Sequence, residues 1–265
     1  MAHGAKGAGE ALSGTTNSRF SSFDGTQLAI HRMGEGPPVV LLHGLFSSAD
    51  MNWIKWGHAA RLAEAGFEAI MLDFRVHGVS ESPTEPEAYP SSVLVRDAAA
   101  LIEHLQLEDA EYDLVGFSLG ARTSLHAVAT GVLEPRKLVV AGMGVAGLSE
   151  WQKRSAFFKR VIEEFDTIER GDPAYFSRQF LKSQGVDRVA ARQLLDAMED
   201  LDLALLDNIT MRTLVVCGEN DQDNGSASDL AEILPNAQYQ VVPGAHLDSA
   251  TKAELGTAIL DFLKG

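Results

Sequence analysis

The chain has 265 residues, of which 45% are hydrophobic and 22% are charged, a composition typical of a globular protein with enough apolar material for a core. Its net charge of −15 at pH 7 repels nucleic-acid phosphates and anionic lipid headgroups, so we predict neither a nucleic-acid partner nor a membrane partner. The sequence also lacks the run of about 18 apolar residues that a membrane-spanning helix needs.

The first 18 residues are rich in Gly, Ala, Ser and Thr and have neither the basic start nor the apolar stretch of a signal peptide. We therefore expect a disordered tail over residues 1–18. Cys217, the single cysteine, sits within an apolar run. This predicts a buried core thiol, no intrachain disulfide and a cytoplasmic location.

Strand-like and helix-like segments then alternate, which is the pattern of a parallel sheet with helices on both faces. An opening hairpin is predicted over residues 20–33, with Asp24 and Gly25 at its turn. Further strands are predicted at residues 39–42, 68–72, 111–115, 137–141, 213–217 and 239–242. Helices are predicted at residues 51–65, 91–105, 118–130, 227–234 and 252–263. The fold class predicted is α/β, with a mostly parallel, doubly wound sheet.

Residues 148–208 interrupt this alternation, because they are charged, aromatic and helical in period and contain no strand candidate. We expect an all-helical cap over the carboxyl edge of the sheet, where open α/β folds bind ligands. The core then comprises residues 19–147 and 209–265. Most cap aromatics should pack the cap onto the sheet, and the predicted pocket residues are Phe46, Trp151 and Phe158.

Residues 116–120 form a Gly-Phe-Ser-Leu-Gly pentapeptide between an apolar strand end and an Ala-rich helix. In this strand, turn and helix context, the pentapeptide is typical of a sharp elbow that holds its serine exposed. Glycines flank the serine because a Cβ there would collide with the neighbouring strand and helix. Ser118 is therefore the predicted nucleophile.

A serine hydroxyl needs a base to take its proton and a carboxylate to orient that base. Asp221 follows the next-to-last predicted strand and His246 follows the last one, so both should lie at the same sheet edge as Ser118. The sequence thus predicts a catalytic triad of Ser118, Asp221 and His246. Asp223 is a rival acid that we expect to cap its own loop, and Asp97 is expected to be a structural hydrogen-bond partner.

These residues resemble the α/β-hydrolase superfamily, and in particular its serine carboxylesterase-like members. The sequence Leu41-Leu-His-Gly-Leu45 is similar to that family's strand-end His-Gly motif, and residues 73–80 are similar to its Asp-x-Arg-Gly-His-Gly-x-Ser loop, with Val76 in place of the first Gly. The resemblance implies an oxyanion hole built from the N–H groups of Leu45 and Leu119, with Phe46 as a near alternative.

Two other patterns suggest cofactors that we do not expect. Residues 142–147 read G-x-G-x-x-G, the dinucleotide fingerprint, but the acid it needs about 20 residues later would fall in the predicted cap. These glycines should instead let the chain leave the sheet close to the active site. His43 and His77 lack the nearby Cys, His or carboxylate ligands that a metal site requires, so we expect both to be structural. We therefore predict no cofactor and no metal.

The reaction predicted is hydrolysis of small or medium acyl or aryl carboxylic esters through an acyl-enzyme, with a small-molecule ester as the partner. Epoxide hydrolases of similar fold carry Asp at the elbow, where this chain has Ser118. The alternatives left open are a carbon–carbon bond hydrolase, a cofactor-free perhydrolase and a ligand receptor with slow turnover. Thioesters, lactones and the oligomeric state also stay open at this stage.

Overall fold

The computed structural model describes residues 14–265, and its first two strands form the predicted hairpin. Strand β1 (Thr15–Ser21) pairs antiparallel with β2 (Gln27–Met33), and Gly25 turns between them with φ 89°. The prediction of a tail is wrong for residues 15–18, because they pair with β2 as a polar edge strand. Residues 1–13 of that predicted tail lie outside the described residues.

Six further strands complete one sheet, in the order β1-β2-β4-β3-β5-β6-β7-β8. They are β3 (Pro38–Leu42), β4 (Glu68–Asp73), β5 (Asp113–Phe117), β6 (Lys137–Ala141), β7 (Arg212–Gly218) and β8 (Ala237–Val242). Every pair of neighbouring strands among these six is parallel. Strand β5 lies two residues later than predicted, because Gly116 and Phe117 continue its pairing with β6. The predicted mostly parallel α/β fold is confirmed.

Helices cover the connections between the strands. They are α1 (His58–Glu64), α2 (Val93–His104), α3 (Leu119–Ala129), α4 (Ala146–Ser149), α5 (Trp151–Glu163), α6 (Tyr175–Ser183), α7 (Arg188–Ala197), α8 (Ala227–Ile233), α9 (His246–Ser249) and α10 (Ala253–Lys264). The helix predicted over residues 51–65 is divided, since a π-helical turn at Asp50–Ile54 is followed by Gly57 in the left-handed region. Short 3-10 turns lie at Pro86–Ala88 and Leu203–Asn208. Within residues 14–265 we find no helix with the length and apolar character needed to cross a bilayer.

The two faces of the sheet carry separate hydrophobic clusters. Along β3, Val39 and Leu41 join a cluster that contains residues of α1 and α10, whereas Val40 and Leu42 join one with residues of α2 and α3. Side chains alternate in this way because successive residues of a strand point to opposite faces. Parallel strands buried on both faces read as continuous apolar runs, which is why they were recognisable in the sequence.

Between β6 and β7 the chain folds as α4 to α7 followed by the last 3-10 turn, and this stretch contains no strand. Trp151, at the start of α5, is buried, and its indole Nε1–H donates to the Leu195 carbonyl of α7 at 3.2 Å. Trp151 and Leu194 belong to the same hydrophobic cluster as the buried residues of α2 and α3. The helical segment therefore packs against the hydrophobic cluster on the side of the sheet that carries these helices.

Candidate active site

The predicted site residues lie on loops at one edge of the sheet, where the parallel strands have their carboxyl ends. His43 and Gly44 follow β3, Ser118 follows β5, Asp221 comes shortly after β7, and His246 comes shortly after β8. Parallel pairing from β3 to β8 brings these strand ends to the same edge. This placement matches the edge at which open α/β sheets bind ligands.

Ser118 occupies a strained elbow between β5 and α3. Its φ of 52° and ψ of −108° lie in a region that residues other than glycine rarely adopt, at a cost of about 1–3 kcal/mol. A Cβ on Gly116 would come within 2.4 Å of the Gly120 backbone, and one on Gly120 within 2.1 Å of the Leu42 carbonyl oxygen. The two glycines therefore make the sharp turn possible, and the Ser118 N–H anchors it by donating to the Ala141 carbonyl at 2.8 Å.

The three residues of the predicted triad form one hydrogen-bonded chain. His246 Nε2 lies 2.9 Å from Ser118 Oγ, and His246 Nδ1 lies 2.8 Å from Asp221 Oδ2. All three side chains are buried. Burial alone would raise the pKa of Asp221, but the hydrogen bond and attraction to His246 and the N–H of Asp223 outweigh it and hold that pKa below its usual range. An ionised Asp221 can orient the imidazole and stabilise its protonated form.

Of the two rival carboxylates, Asp97 is the structural hydrogen-bond partner that was predicted, whereas Asp223 does not cap its loop through its own carboxylate. Asp223 is exposed, and its backbone N–H donates to Asp221 Oδ1 at 3.1 Å, whereas no hydrogen bond joins its own carboxylate to His246. Asp97 is fully buried and accepts two hydrogen bonds from Arg75, at 2.6 and 2.7 Å, and one from Ser22. Asp221 is thus the carboxylate that reaches the imidazole.

His43 and His77 serve as structural side chains, as predicted. His43 Nδ1 donates to the Gly44 carbonyl at 2.8 Å and its Nε2 accepts from the Phe74 N–H at 3.1 Å. His77 Nδ1 donates to the Arg75 carbonyl. Burial lowers the pKa of His43, and burial together with repulsion from His43 lowers the pKa of His77 to about 3, so both imidazoles are neutral at pH 7.

The loop after β3 lies against the elbow. A Cβ on Gly44 would sit 3.6 Å from Ser118 Cβ, and the Gly44 N–H donates to Asn52 Oδ1 at 2.9 Å, which fixes the loop. Leu119 is the first residue of α3, so its N–H has no acceptor within the helix. Leu45 and Leu119 both line the cavity in front of Ser118. Asn52 is not among the residues predicted from the sequence, since its anchoring contact depends on the fold.

The glycines of residues 142–147 are required by close packing. Gly142 follows β6 with φ 60°, and a Cβ there would lie 3.2 Å from His246 Cε1. A Cβ on Gly144 would lie 2.4 Å from the Gly225 carbonyl oxygen. As expected from the sequence, these glycines let the chain leave the sheet close to the candidate site, and Gly142 lies beside the imidazole.

A cavity of about 580 Å³ opens in front of Ser118 and His246. The predicted pocket residues Phe46, Trp151 and Phe158 all line it, and the rings of Phe46 and Phe158 meet edge to face at 5.7 Å. Other apolar lining residues include Met51, Phe117, Met143, Phe157 and Phe180.

Two cations, Arg122 and Arg154, also line the cavity, and neither is among the residues predicted from the sequence. The sequence spacing offers one indication for each of them. Arg122 lies four residues after Ser118, and Arg154 lies three residues after Trp151. At those spacings on a helix, side chains share a face.

Comparisons with known proteins give partial sequence relatives and full-length structural neighbours. The chain is 35% identical over 89 residues to bifunctional epoxide hydrolase 2 of Sus scrofa, a match that covers 33% of this chain and 15% of that protein. It is 32% identical over 114 residues to N-formylmaleamate deformylase of Pseudomonas putida, covering 43% of this chain and 40% of that protein. The chain thus matches less than half the length of these curated relatives.

Among solved structures, the esterase from Exiguobacterium antarcticum superposes with a TM-score of 0.74 at 22% identity, over 94% of this chain and 99% of that one. This likeness shows the fold. The sequence itself also matches the family model of the alpha/beta hydrolases over residues 39–252, a span that includes the elbow, the acid and the imidazole. The chain therefore belongs to the alpha/beta hydrolase family.

Proposed function

We propose that the protein is a serine hydrolase that cleaves carboxylic esters of small or medium acyl or aryl type through an acyl-enzyme. The observation that carries the proposal is the hydrogen-bonded chain from Asp221 through His246 to Ser118 Oγ, at 2.8 and 2.9 Å. The hydroxyl at its end lines the cavity of about 580 Å³. A buried serine, imidazole and carboxylate in this order form the arrangement that activates a serine for attack on a carbonyl.

In the proposed reaction, Ser118 Oγ attacks the ester carbonyl while His246 Nε2 takes its proton. Asp221 accepts the Nδ1–H bond throughout and stabilises the imidazolium. The N–H groups of Leu45 and Leu119 donate to the oxyanion of the tetrahedral intermediate. His246 then protonates the departing alcohol oxygen, and a water molecule, deprotonated by the same imidazole, releases the acid and restores Ser118.

The cavity supports a substrate of limited size. Its volume lies within the range of small-molecule sites, about 300–1,000 Å³. Phe46 and Trp151 are buried, and Phe158 packs edge to face on Phe46, so these walls are fixed by contacts behind them. An apolar acyl or aryl group of moderate length fits such a site better than a long chain does.

The nucleophile argues against epoxide hydrolysis, although one partial relative bears that name. Attack of a serine hydroxyl on an epoxide carbon would leave an ether on the enzyme. Water cannot cleave an ether by addition to a carbonyl, so Ser118 would stay blocked after one event. Attack on an ester carbonyl instead leaves an acyl-serine, which water can hydrolyse.

Covalent trapping tests the proposal. After incubation with diethyl p-nitrophenyl phosphate, we expect one diethylphosphoryl adduct per chain, on the peptide that contains Ser118, together with loss of p-nitrophenyl butyrate hydrolysis. Ser124→Ala is the matched control, because Ser124 lies on α3 with its Oγ bonded to the Gly120 carbonyl at 2.8 Å, away from the imidazole.

Many turnovers of p-nitrophenyl butyrate per chain support an enzyme, whereas a burst that stops after one turnover would contradict the proposal. Labelling of Ser118→Ala at the wild-type rate would contradict it as well.

A further inference from the structure

The cavity in front of Ser118 holds two guanidinium groups from different elements. Arg122 lies on α3 and is buried, with 5% of its surface exposed. Arg154 lies on α5 and is partly buried. The triad mechanism uses neither side chain. The burial of these arginines requires an explanation, because desolvating a cation is costly unless an anion or a full set of hydrogen bonds replaces the lost water.

The hydrogen bonds of these arginines go to neutral carbonyl groups. Arg122 donates from Nε to the Gly147 carbonyl at 3.1 Å and from Nη2 to the Glu199 carbonyl, and Arg154 donates from Nη1 to the Asp223 carbonyl. Within residues 14–265, no carboxylate oxygen lies within salt-bridge distance of either guanidinium, and Arg122 Nη1 has no hydrogen-bond acceptor. Both therefore keep donors free for a bound molecule.

A second buried arginine in the same protein shows the contrast. Arg75 is fully buried, and its guanidinium meets the carboxylates of Asp97 at 2.6 Å and Asp24 at 3.0 Å. Burial alone would lower its pKa, but the hydrogen bonds and charges of these carboxylates raise it above its ordinary value. The fold thus neutralises the arginine that it buries away from the cavity, whereas those in the cavity lack a carboxylate partner.

The electrostatics of the cavity favour an anion. Burial, and to a smaller extent the charge of Arg154, lowers the pKa of Arg122 to about 10, and burial also lowers the pKa of Arg154. Both groups are still cationic at pH 7, so they repel one another in a partly desolvated space. The other ionisable residues that line the cavity are Asp223 and His246. The charges of Asp223 and, more weakly, Asp221 attract Arg154, and the charge of Asp200 attracts Arg122, but none of these carboxylates lies within salt-bridge distance of either guanidinium. An anion in contact with both guanidiniums would remove this repulsion.

We propose that the cavity binds an ester whose acyl or alcohol part carries a carboxylate, and that Arg122 and Arg154 hold this carboxylate. The fork of N–H donors on a guanidinium matches the two oxygens of a carboxylate, which gives orientation as well as affinity. The identity of the scissile bond rests on the proposed ester hydrolysis, whereas the carboxylate site rests on the two arginines alone.

Matched ester pairs test the inference. The acyl arm compares mono-p-nitrophenyl adipate with p-nitrophenyl hexanoate, which has the same chain length and no carboxylate. The alcohol arm compares 3-acetoxybenzoate with 3-acetoxybenzamide. In one arm we expect kcat/KM of the anionic ester to exceed that of its neutral partner by about tenfold or more, after subtraction of the rate with Ser118→Ala. A preference for the neutral ester in both arms would overturn the inference.

The ratio of anionic to neutral kcat/KM identifies the residue responsible. Arg154→Gln should lower the ratio by about tenfold or more, and Arg154→Lys should restore part of it because it keeps the charge. Lys153→Gln is the matched control, since it removes the same charge from the same helix at an exposed residue that pairs with Glu150. Because each ratio is taken on one protein sample, partial unfolding cancels. An unchanged ratio in Arg154→Gln would contradict the proposed role.

Binding separates this inference from the proposed function. Glutarate should bind Ser118→Ala in calorimetry, and adding Arg154→Gln should weaken the binding by about tenfold or more, whereas adding Lys153→Gln should not. If no ester is hydrolysed but glutarate binds in this way, the proposed function fails and the carboxylate site stands. If esters are hydrolysed and glutarate does not bind, the carboxylate site fails and the proposed function stands.

Discussion

Asp221 and Asp223 are two residues apart, yet only Asp221 reaches His246 Nδ1, at 2.8 Å. Asp221→Asn should keep the shape of the site but favour the wrong imidazole tautomer and remove the countercharge of the imidazolium. We expect kcat for p-nitrophenyl butyrate to fall by about 10³- to 10⁴-fold. Asp223→Asn should cost less than about tenfold, because an exposed carboxylate contributes little to the transition state. The reverse ranking in side-by-side kinetics would assign the acid role to Asp223.

Val76 occupies the position at which the Asp-x-Arg-Gly-His-Gly-x-Ser loop of the family has its first glycine. Its backbone nevertheless adopts the left-handed conformation that favours glycine, with φ 75°. A β-branched residue in the left-handed region is strained, but Val76 is buried in a core cluster, which offsets the strain. Val76→Ala should therefore lose packing and keep the strain, whereas Val76→Gly loses packing and relieves it. We expect the glycine variant to be at least as stable as the alanine variant in urea unfolding. A glycine variant less stable by about 1 kcal/mol or more would contradict this reading.

At the scale of residues, the triad was predictable because its members follow predicted strands that end at one sheet edge. Arg122 and Arg154 were not, because their free donors become visible only when every neighbouring carboxylate has been placed. The conformation of Val76 was not predictable either, since side-chain packing decides it against local backbone preference.

At the scale of elements, α5 supplies one wall of the cavity through Trp151, Phe157 and Phe158. Phe158→Ala should open space against Phe46 and move the preferred p-nitrophenyl ester toward longer acyl chains, since each added methylene that fits contributes about 0.8 kcal/mol of burial. Phe176→Ala, on α6 and 79% exposed, is the matched control. A chain-length profile of kcat/KM for wild type and both variants measures the shift. An identical profile in all three proteins would mean that α5 does not set the size limit.

The helices and strands were largely predictable from the sequence, and the predicted bounds that were wrong have local causes. Strand β5 lies two residues later than predicted because its pairing with β6 outweighs the turn preference of Gly116. Residues 15–18 pair with β2 although their polar composition suggested a tail, because an edge strand needs no apolar face toward solvent. The helix predicted at 51–65 is broken by the left-handed Gly57.

At the scale of the whole molecule, buried neutral histidines make stability depend on pH. The pKa of His77 is about 3 in the folded protein and about 6.5 in an unfolded chain, so only the unfolded state gains the proton between these values. The contribution is complete above pH 6.5 and is lost as pH falls toward 3. From pH 6.5 to pH 5 this loss is about 2 kcal/mol. His43, His58 and His126, whose pKa values burial also lowers, act in the same direction.

Urea unfolding at pH 7.5 and pH 5.0 checks this dependence. The free energy of unfolding of the wild type should fall over this interval, and that of His77→Asn should fall by about 2 kcal/mol less, because asparagine does not titrate. Equal losses in the two proteins would show that His77 is protonated, or exposed to solvent, in the folded state.

The role of Ser118 as the nucleophile of an ester hydrolase is best tested by kcat/KM for p-nitrophenyl butyrate in Ser118→Ala beside Ser124→Ala. We expect a loss of about 10⁴-fold or more in Ser118→Ala, with an unchanged circular-dichroism spectrum, because removing one triad member disables the unit. We expect activity within about tenfold of wild type in Ser124→Ala, whose hydroxyl donates to the Gly120 carbonyl of the same helix. If Ser118→Ala kept a tenth or more of the wild-type activity, on the order of 10³-fold above the prediction, the nucleophile assignment would be wrong.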